Sequence, residues 1–169
     1  MARLFFAIWP GVAASKGLAH VAEALGAIAG GKPVPAEKIH VTLAFLGSID
    51  AQLAGTAAAV AARVNASEVH MAMDEVGSFR RARVGWAGPS QANANLIALQ
   101  DRLARDLKAA GFALDERAFT PHATLVRKID KSVPRAPMPP VQWRSRAFTL
   151  VESRGGRYEV LESWGLGAG

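Results

Sequence analysis

One four-residue pattern occurs twice in this chain, as His40-Val41-Thr42-Leu43 and again as His122-Ala123-Thr124-Leu125. The first copy runs on through Ala44-Phe45-Leu46-Gly47, and the second through Val126-Arg127-Lys128. Both therefore lie in runs of β-branched and large apolar residues that end at glycine or at charge, which read as short strands. Successive side chains on a strand point to opposite faces. His40 and Thr42 then share one face, with Val41, Leu43 and Phe45 on the other, while His122 and Thr124 stand opposite Ala123 and Leu125. Each strand has an apolar face to bury and a polar face carrying an imidazole and a hydroxyl. The rest of the chain reads as the scaffold that brings the two copies together.

Imidazole titrates near neutral pH, at about 6.5 when unperturbed. Two imidazoles flanking one substrate atom can serve as general acid and general base in a single displacement, each contributing roughly a hundredfold to ten-thousandfold in rate. The threonine hydroxyls two residues on are donors suited to non-bridging phosphate oxygens as charge builds in the transition state. Together they describe metal-free phosphoryl chemistry. A single histidine on a strand is more often a structural residue than a catalyst. What favours catalysis here is that two of the four histidines carry the same Thr-Leu sequel. His20 and His70 lack it and read as ordinary surface or half-buried residues.

In their wider contexts, Pro35-Ala36-Glu37-Lys38-Ile39-His40 through Gly47 and Thr120-Pro121-His122 through Lys128, the two motifs resemble the signatures of the two-histidine (2H) phosphoesterases. The branch most similar is that of the bacterial and archaeal RNA 2′,3′-cyclic phosphodiesterases, also called LigT-like 2′-5′ RNA ligases. Arg3-Leu4-Phe5-Phe6-Ala7-Ile8 resembles the opening strand of that family, and Gly77-Ser78-Phe79 with Val84-Gly85-Trp86-Ala87-Gly88 its central hairpin. Leu150-Val151-Glu152-Ser153 and Gly156-Arg157-Tyr158-Glu159-Val160-Leu161 resemble its closing strands, so nearly the whole chain is covered. The resemblance implies hydrolysis of a terminal ribose 2′,3′-cyclic phosphate to the 2′-phosphate. It also implies that His40 is the proton donor, His122 the acceptor, and Thr42 and Thr124 the phosphate ligands. The residues alone give no way to assign the two histidine roles. The family commonly has a basic residue after its second motif, which makes Arg127 a phosphate-ligand candidate, since guanidinium matches phosphate geometry. Strict alternation, however, counts Arg127 onto the core side and Lys128 onto the cleft side, unless a bulge or the strand end intervenes. A solvated cation at the strand end is the other reading of Arg127.

The motifs lack the neighbouring carboxylates of a divalent-metal site, so no metal or other cofactor is expected. The chain has no cysteine, which leaves no disulfide framework, thiolate nucleophile or cysteine-ligated metal. Its 20 basic residues against 14 acidic ones give a net charge of +6, which favours an anionic partner such as an RNA end. At 169 residues, half of them hydrophobic, the chain can bury a real core as one bilobal domain, 1–169, expected to be monomeric. Met1-Ala2-Arg3 before Leu4-Phe5-Phe6-Ala7-Ile8-Trp9 has the outline of a short signal peptide. Pro10-Gly11 cuts the run, Lys16 follows, and no convincing cleavage site is present, so a buried strand is the preferred reading. No stretch approaches the roughly 18 to 20 apolar residues of a membrane span. No membrane partner and a cytoplasmic location are expected.

After Pro10, apolar residues from Val12 to Ile28 recur near helical spacing and Gly30-Gly31 closes the segment. Lys32 to Glu37 reads as a loop, the first motif strand runs to Gly47, and Ser48-Ile49-Asp50 caps a second helix to about Val64. Ser67 to Phe79 and Ala82 to Ala87 read as a hairpin. Arg80, Arg81 and Arg83 at its tip are either a solvated turn or a phosphate-backbone contact beside a stacking aromatic, Phe79. Gln91 to Ala110 is a helix with a leucine stripe, and Phe112 to Phe119 a connector. Four prolines make Pro134 to Pro140 an exposed loop, and two strands, about Val141 to Ser153 and Arg157 to Trp164, close the chain around Arg154-Gly155-Gly156.

The expected class is α+β, with two pseudo-symmetric lobes whose antiparallel sheets face a central cleft and whose helices lie outside. Glu37, Phe79 and Ser153 are further candidates for the cleft lining, each as easily structural. Three other functions fit the same motifs: 2′-5′ joining of RNA ends, in which the proton roles exchange; a nucleotide-binding module without turnover; and a two-histidine metal hydrolase.

Overall fold

The computed structural model describes residues 2–167, so Met1, which heads the signal-peptide outline, lies outside the described residues. The elements follow in the order β1 (Ala2–Ile8), α1 (Val12–Ala29), β2 (Lys32–Pro33), β3 (Val41–Ile49), α2 (Ala51–Ala61), β4 (Val69–Phe79), β5 (Val84–Gly88), α3 (Ala94–Ala109), β6 (Ala123–Arg127), β7 (Ala136–Ser145), β8 (Ala147–Arg154) and β9 (Arg157–Gly165). A single 3₁₀ turn, Ala36–Lys38, precedes β3. The N-terminal apolar run is β1, with Leu4, Phe5, Phe6, Ala7 and Ile8 all buried. No helix among the described residues is long and apolar enough to cross a membrane.

The helices begin and end where local chemistry stops them. Gly30, at φ 78°, terminates α1 in a conformation that glycine adopts without a Cβ penalty. The Asp50 carboxylate caps α2 by accepting the Leu53 N–H at 2.8 Å. Asn93 does the same for Leu96 at 2.9 Å, which starts α3 at Ala94 rather than Gln91. The stripe of Leu96, Leu99, Leu103 and Leu107 is fully buried.

The strands form one antiparallel sheet in the order β7-β4-β5-β6-β3-β1-β8-β9, with β2 beside β6. Its two halves meet at a single residue pair, Val41 with Ala123. The two lobes expected from the sequence are thus the two halves of a continuous α+β sheet, joined at the motif strands. Only Arg146 separates β7 from β8 in sequence, yet the two stand first and seventh in that order. The sheet must therefore curl until its distant strands come within one residue of each other. The Ser145 hydroxyl, at the end of β7, donates 2.6 Å to the carbonyl of Trp9, just past β1. The helices cross over as well. Although α1 follows β1, it packs on β2, β6 and β7, while α3 follows β5 and packs on β3 and α2. Phe6, Leu18, Leu96 and Trp143 accordingly belong to one buried cluster.

Two sequence expectations need correction. The proline-rich segment is not a loop, since β7 begins at Ala136 and contains Pro137, Pro139 and Pro140. It is an edge strand whose neighbour among the described residues is β4, and its register with β4 breaks between Pro137 and Val141, so Pro139 and Pro140 fall where no ladder pair is made. The expected strand over Val141 to Ser153 is also two strands, broken at Arg146, with β7 pairing β4 and β8 pairing β1 and β9. The closing hairpin stands as read, turning on Gly155 and Gly156 at φ 59° and 79°.

Candidate active site

Neither motif histidine lies within its strand. His40 and His122 are the residues immediately before β3 and β6, each at the point where the chain enters the sheet. Register breaks then decide which side chains face inward. Ala7 pairs with Thr42 but Phe6 with Ala44, so Leu43 is an extra residue on β3. Trp86 pairs with Thr124 but Gly85 with Val126, so Leu125 is an extra residue on β6. A bulge inverts the alternation beyond it. Leu43 and Ala44 are both buried, as are Leu125 and Val126, and the residue five past each histidine, Phe45 and Arg127, swings to the polar face. Phe45, expected in the core, is instead 50% exposed.

The two imidazoles are held alike. Nδ1 of His40 lies 2.7 Å from the carbonyl of Lys38, and Nδ1 of His122 lies 2.8 Å from the carbonyl of Thr120. A carbonyl only accepts, so Nδ1 carries the hydrogen in both rings and Nε2 keeps its lone pair. Nε2 of His40 sits 3.1 Å from the Thr42 hydroxyl. A cleft of about 380 Å³ takes in His40, Thr42, His122, Thr124 and Arg127 together with Ser153, and is completed by Arg3, Phe5, Phe45 and Tyr158. All five candidate site residues thus meet in one place. Glu37 lies exposed on the 3₁₀ turn and does not line the cleft, whereas Phe79 meets His122 edge-on with ring centroids 4.9 Å apart. No carboxylate is among the lining residues, and no group of three or more potential metal ligands occurs among the described residues. A larger groove of about 490 Å³, between Lys16, His20 and Glu23 of α1 and the segment 33–36, contains neither motif.

A family model described as the 2′-5′ RNA ligase superfamily matches residues 10–157. The chain belongs to this superfamily. It is 34% identical over 142 residues to the RNA 2′,3′-cyclic phosphodiesterase of Escherichia coli K12, covering 80% of each chain. It is 29% identical over 99 residues to the protein of the same name from Aeropyrum pernix, covering 57% of this chain and 56% of that one. The crystal structure of E. coli LigT complexed with 3′-AMP superposes with a TM-score of 0.86 at 31% identity over 98% of both chains.

In this 2′-5′ RNA ligase superfamily chain the two histidines differ in their surroundings. His40 stacks on Phe5 at 5.0 Å and 28°, with the rings of Trp9 and Tyr158 at 5.2 and 5.5 Å. The box is itself braced, because Trp9 Nε1 donates to the Thr149 hydroxyl at 2.8 Å and the Lys38 ammonium donates to the Gly156 carbonyl beneath the Tyr158 ring. Burial in this box lowers the His40 pKa from 6.5 to about 4, with the positive charge of Arg127 and the neighbouring His122 adding to the effect against the Lys38 hydrogen bond. His122 is also lowered by burial, and the Thr120 carbonyl opposes the shift. Burial thus favours the neutral form of both imidazoles.

The depressed values also tie stability to pH. Between pH 6.5 and about 4 the unfolded chain binds a proton at residue 40 that the folded chain refuses, so stability is lost as pH falls through that window. The melting temperature of the wild type is expected to drop more between pH 6.5 and 4.5 than that of His40→Gln. Parallel pH profiles would mean that the aromatic box does not penalise the imidazolium.

The residues that sequence reading missed are Arg3, Phe5, Phe45, Trp9, Lys38 and Tyr158. Phe45 had one available signal, since it stands at the same offset from its histidine as Arg127. Arg3, Phe5 and Tyr158 reach the cleft through pairing of strands far apart in the chain, such as Arg3 with Ser153 and Ser153 with Tyr158, which no local pattern announces, while Trp9 and Lys38 support His40 from outside the cleft lining.

Proposed function

We propose that this chain is a metal-free RNA 2′,3′-cyclic phosphodiesterase, in which His122 is the base, His40 the acid, and Thr42, Thr124 and Arg127 the phosphate ligands. The observation that carries this reading is the matched pair of imidazoles, each with Nδ1 tied to the carbonyl two residues earlier and both lining one cleft with two threonines. Water attacks phosphorus as its proton passes to Nε2 of His122, the bond from phosphorus to O3′ breaks, and His40 delivers a proton from Nε2 to O3′. The products are a 2′-phosphomonoester and a free 3′-hydroxyl. For this role His40 takes a proton from solvent as the anionic phosphodiester binds, the substrate's negative charge favouring the imidazolium against the burial, and the lesser effect of Arg127, that lower its pKa. The hydroxyls of Thr42 and Thr124 take the non-bridging oxygens as charge grows on them. Phe45, with the Arg3 guanidinium 5.5 Å over its ring, offers the terminal base a stacking face.

Both histidines come from one chain, so a monomer comprising 1–169 as a single bilobal domain suffices for the activity. The test is incubation of the protein with a short RNA ending in a 2′,3′-cyclic phosphate, in the presence of EDTA, with identification of the phosphomonoester formed. Conversion to the 2′-phosphate at a rate unaffected by EDTA is expected. A 3′-phosphate product, a chelator-sensitive reaction or no turnover would overturn the reading, and a joined product with a 5′-hydroxyl RNA would show the same site working in reverse.

A further inference from the structure

Beyond the cleft, cations collect at the far end of β6. Lys32 of β2 and Val84 of β5 flank Arg127 in register, so Arg127, the turn Arg80–Arg83, Lys128, Lys131 and Lys32 all lie at one end of the sheet. The three segments are knitted together: the Ile129 N–H donates to the Arg83 carbonyl at 3.1 Å, and the N–H of Lys131 to the Ala29 carbonyl at 3.0 Å. Arg83 and Lys128, at φ 55° and 58°, are the non-glycine residues with left-handed backbone among the described residues, and they face each other across this junction. The Arg83 side chain closes it, donating to the Ile129 carbonyl at 3.0 Å and to Asp130 at 3.3 Å. That contact uses up the carboxylate of the junction.

What remains is Lys32, Arg80, Arg81, Arg127, Lys128 and Lys131, all exposed and, among the described residues, none paired with a carboxylate. Several arginines elsewhere are ion-paired instead, as Arg102 is with Asp106, Arg105 with Asp101, Arg135 with Glu75 and Arg144 with Glu68, and those unpaired among the described residues, such as Arg3, Arg63 and Arg157, lie outside this run of segments. A cluster of like charges repels itself unless a polyanion covers it. Arg127 belongs both to this ridge and to the cleft lining, so the ridge leads directly out of the candidate site. We infer that it is a second binding site, which holds the backbone phosphates of the RNA 5′ to the cyclic end and makes a polynucleotide, rather than a lone nucleotide, the preferred substrate. The inference rests on the RNA-end reading above. Contacts of this kind go to phosphates and carry no base preference.

The test compares a nucleoside 2′,3′-cyclic monophosphate with an oligoribonucleotide of about eight residues bearing the same terminus. The variant is Arg80→Glu/Arg81→Glu, which leaves Arg83 and its structural bonds in place. A second double variant, Lys16→Glu/Arg63→Glu, makes the same change in net charge elsewhere. Wild type is expected to prefer the oligonucleotide in kcat/KM, and Arg80→Glu/Arg81→Glu to lose at least about tenfold of that preference while keeping its rate on the mononucleotide. The magnitude of its salt slope should fall by about one to two, the share of two single-strand phosphate contacts. An unchanged preference, or an equal loss in Lys16→Glu/Arg63→Glu, would overturn the ridge. If wild type turned over neither substrate, the phosphodiesterase reading would fall. Anisotropy of a fluorescent oligoribonucleotide would still test the ridge, since weaker binding confined to Arg80→Glu/Arg81→Glu supports it and equal binding refutes it.

Discussion

His122→Ala is expected to remove turnover of a cyclic-phosphate RNA end by at least about a hundredfold, and His40→Ala by a comparable factor, within the roughly hundredfold to ten-thousandfold range of one positioned proton-transfer group. The two losses should not multiply in the double variant, because acid and base act on one displacement and removing either already disables it. His122 has one hydrogen bond, to the Thr120 carbonyl, and an edge contact with Phe79, with no aromatic box around it, so its loss should lower the melting temperature less than loss of His40. His40 fills a space between Phe5, Trp9 and Tyr158, and its truncation opens a cavity there. His40→Gln, which keeps more of the volume, therefore belongs beside it. Single-turnover rates together with thermal melts check both points. A folded His122→Ala protein with near wild-type rates would refute the assignment of the base.

Removing a threonine hydroxyl is expected to cost roughly tenfold to a thousandfold in kcat, the range for one preorganised donor to a developing negative charge. The two positions should differ in kind. The Thr124 hydroxyl has no protein partner among the described hydrogen bonds, so Thr124→Val removes a phosphate donor and little else. The Thr42 hydroxyl sits 3.1 Å from Nε2 of His40, so Thr42→Val also removes the group that aims the acid. A kcat loss for Thr42→Val at least as large as that for Thr124→Val is the expected order. Losses seen only in KM for both would mean that the hydroxyls bind substrate and transition state equally, which is not the role assigned to them.

Much of this was legible before any coordinates. The paired histidines, their threonines, the leucine stripe of α3 and the glycine turn of the last hairpin all announce themselves through local spacing, and local spacing is what the chain obeys there. Arg127 was ambiguous for a definite reason. Alternation puts it in the core, and only the extra residue at Leu125, visible in the pairing with β5, returns it to the cleft. Phe45 was misplaced by the same rule and corrected by the same device at Leu43. The prolines of β7 misled because the cost of proline depends on whether a strand has one neighbour or two, which is a property of the sheet and not of the segment. The aromatic box around His40 draws Phe5 from β1, Trp9 from just past it and Tyr158 from β9, and no window of sequence contains these together with His40.

The exchange of helices between the halves has a consequence for how this protein acquires its activity. A cut between β5 and α3 would leave the first fragment without the leucine stripe that covers β3, and the second without α1, the cover of β6 and β7. Neither fragment could present a finished catalytic half to the other. The distance between the two imidazoles is then not adjusted by docking two preformed pieces. It is set once, when the whole chain condenses around its shared interior, and catalytic competence becomes a reporter of global folding.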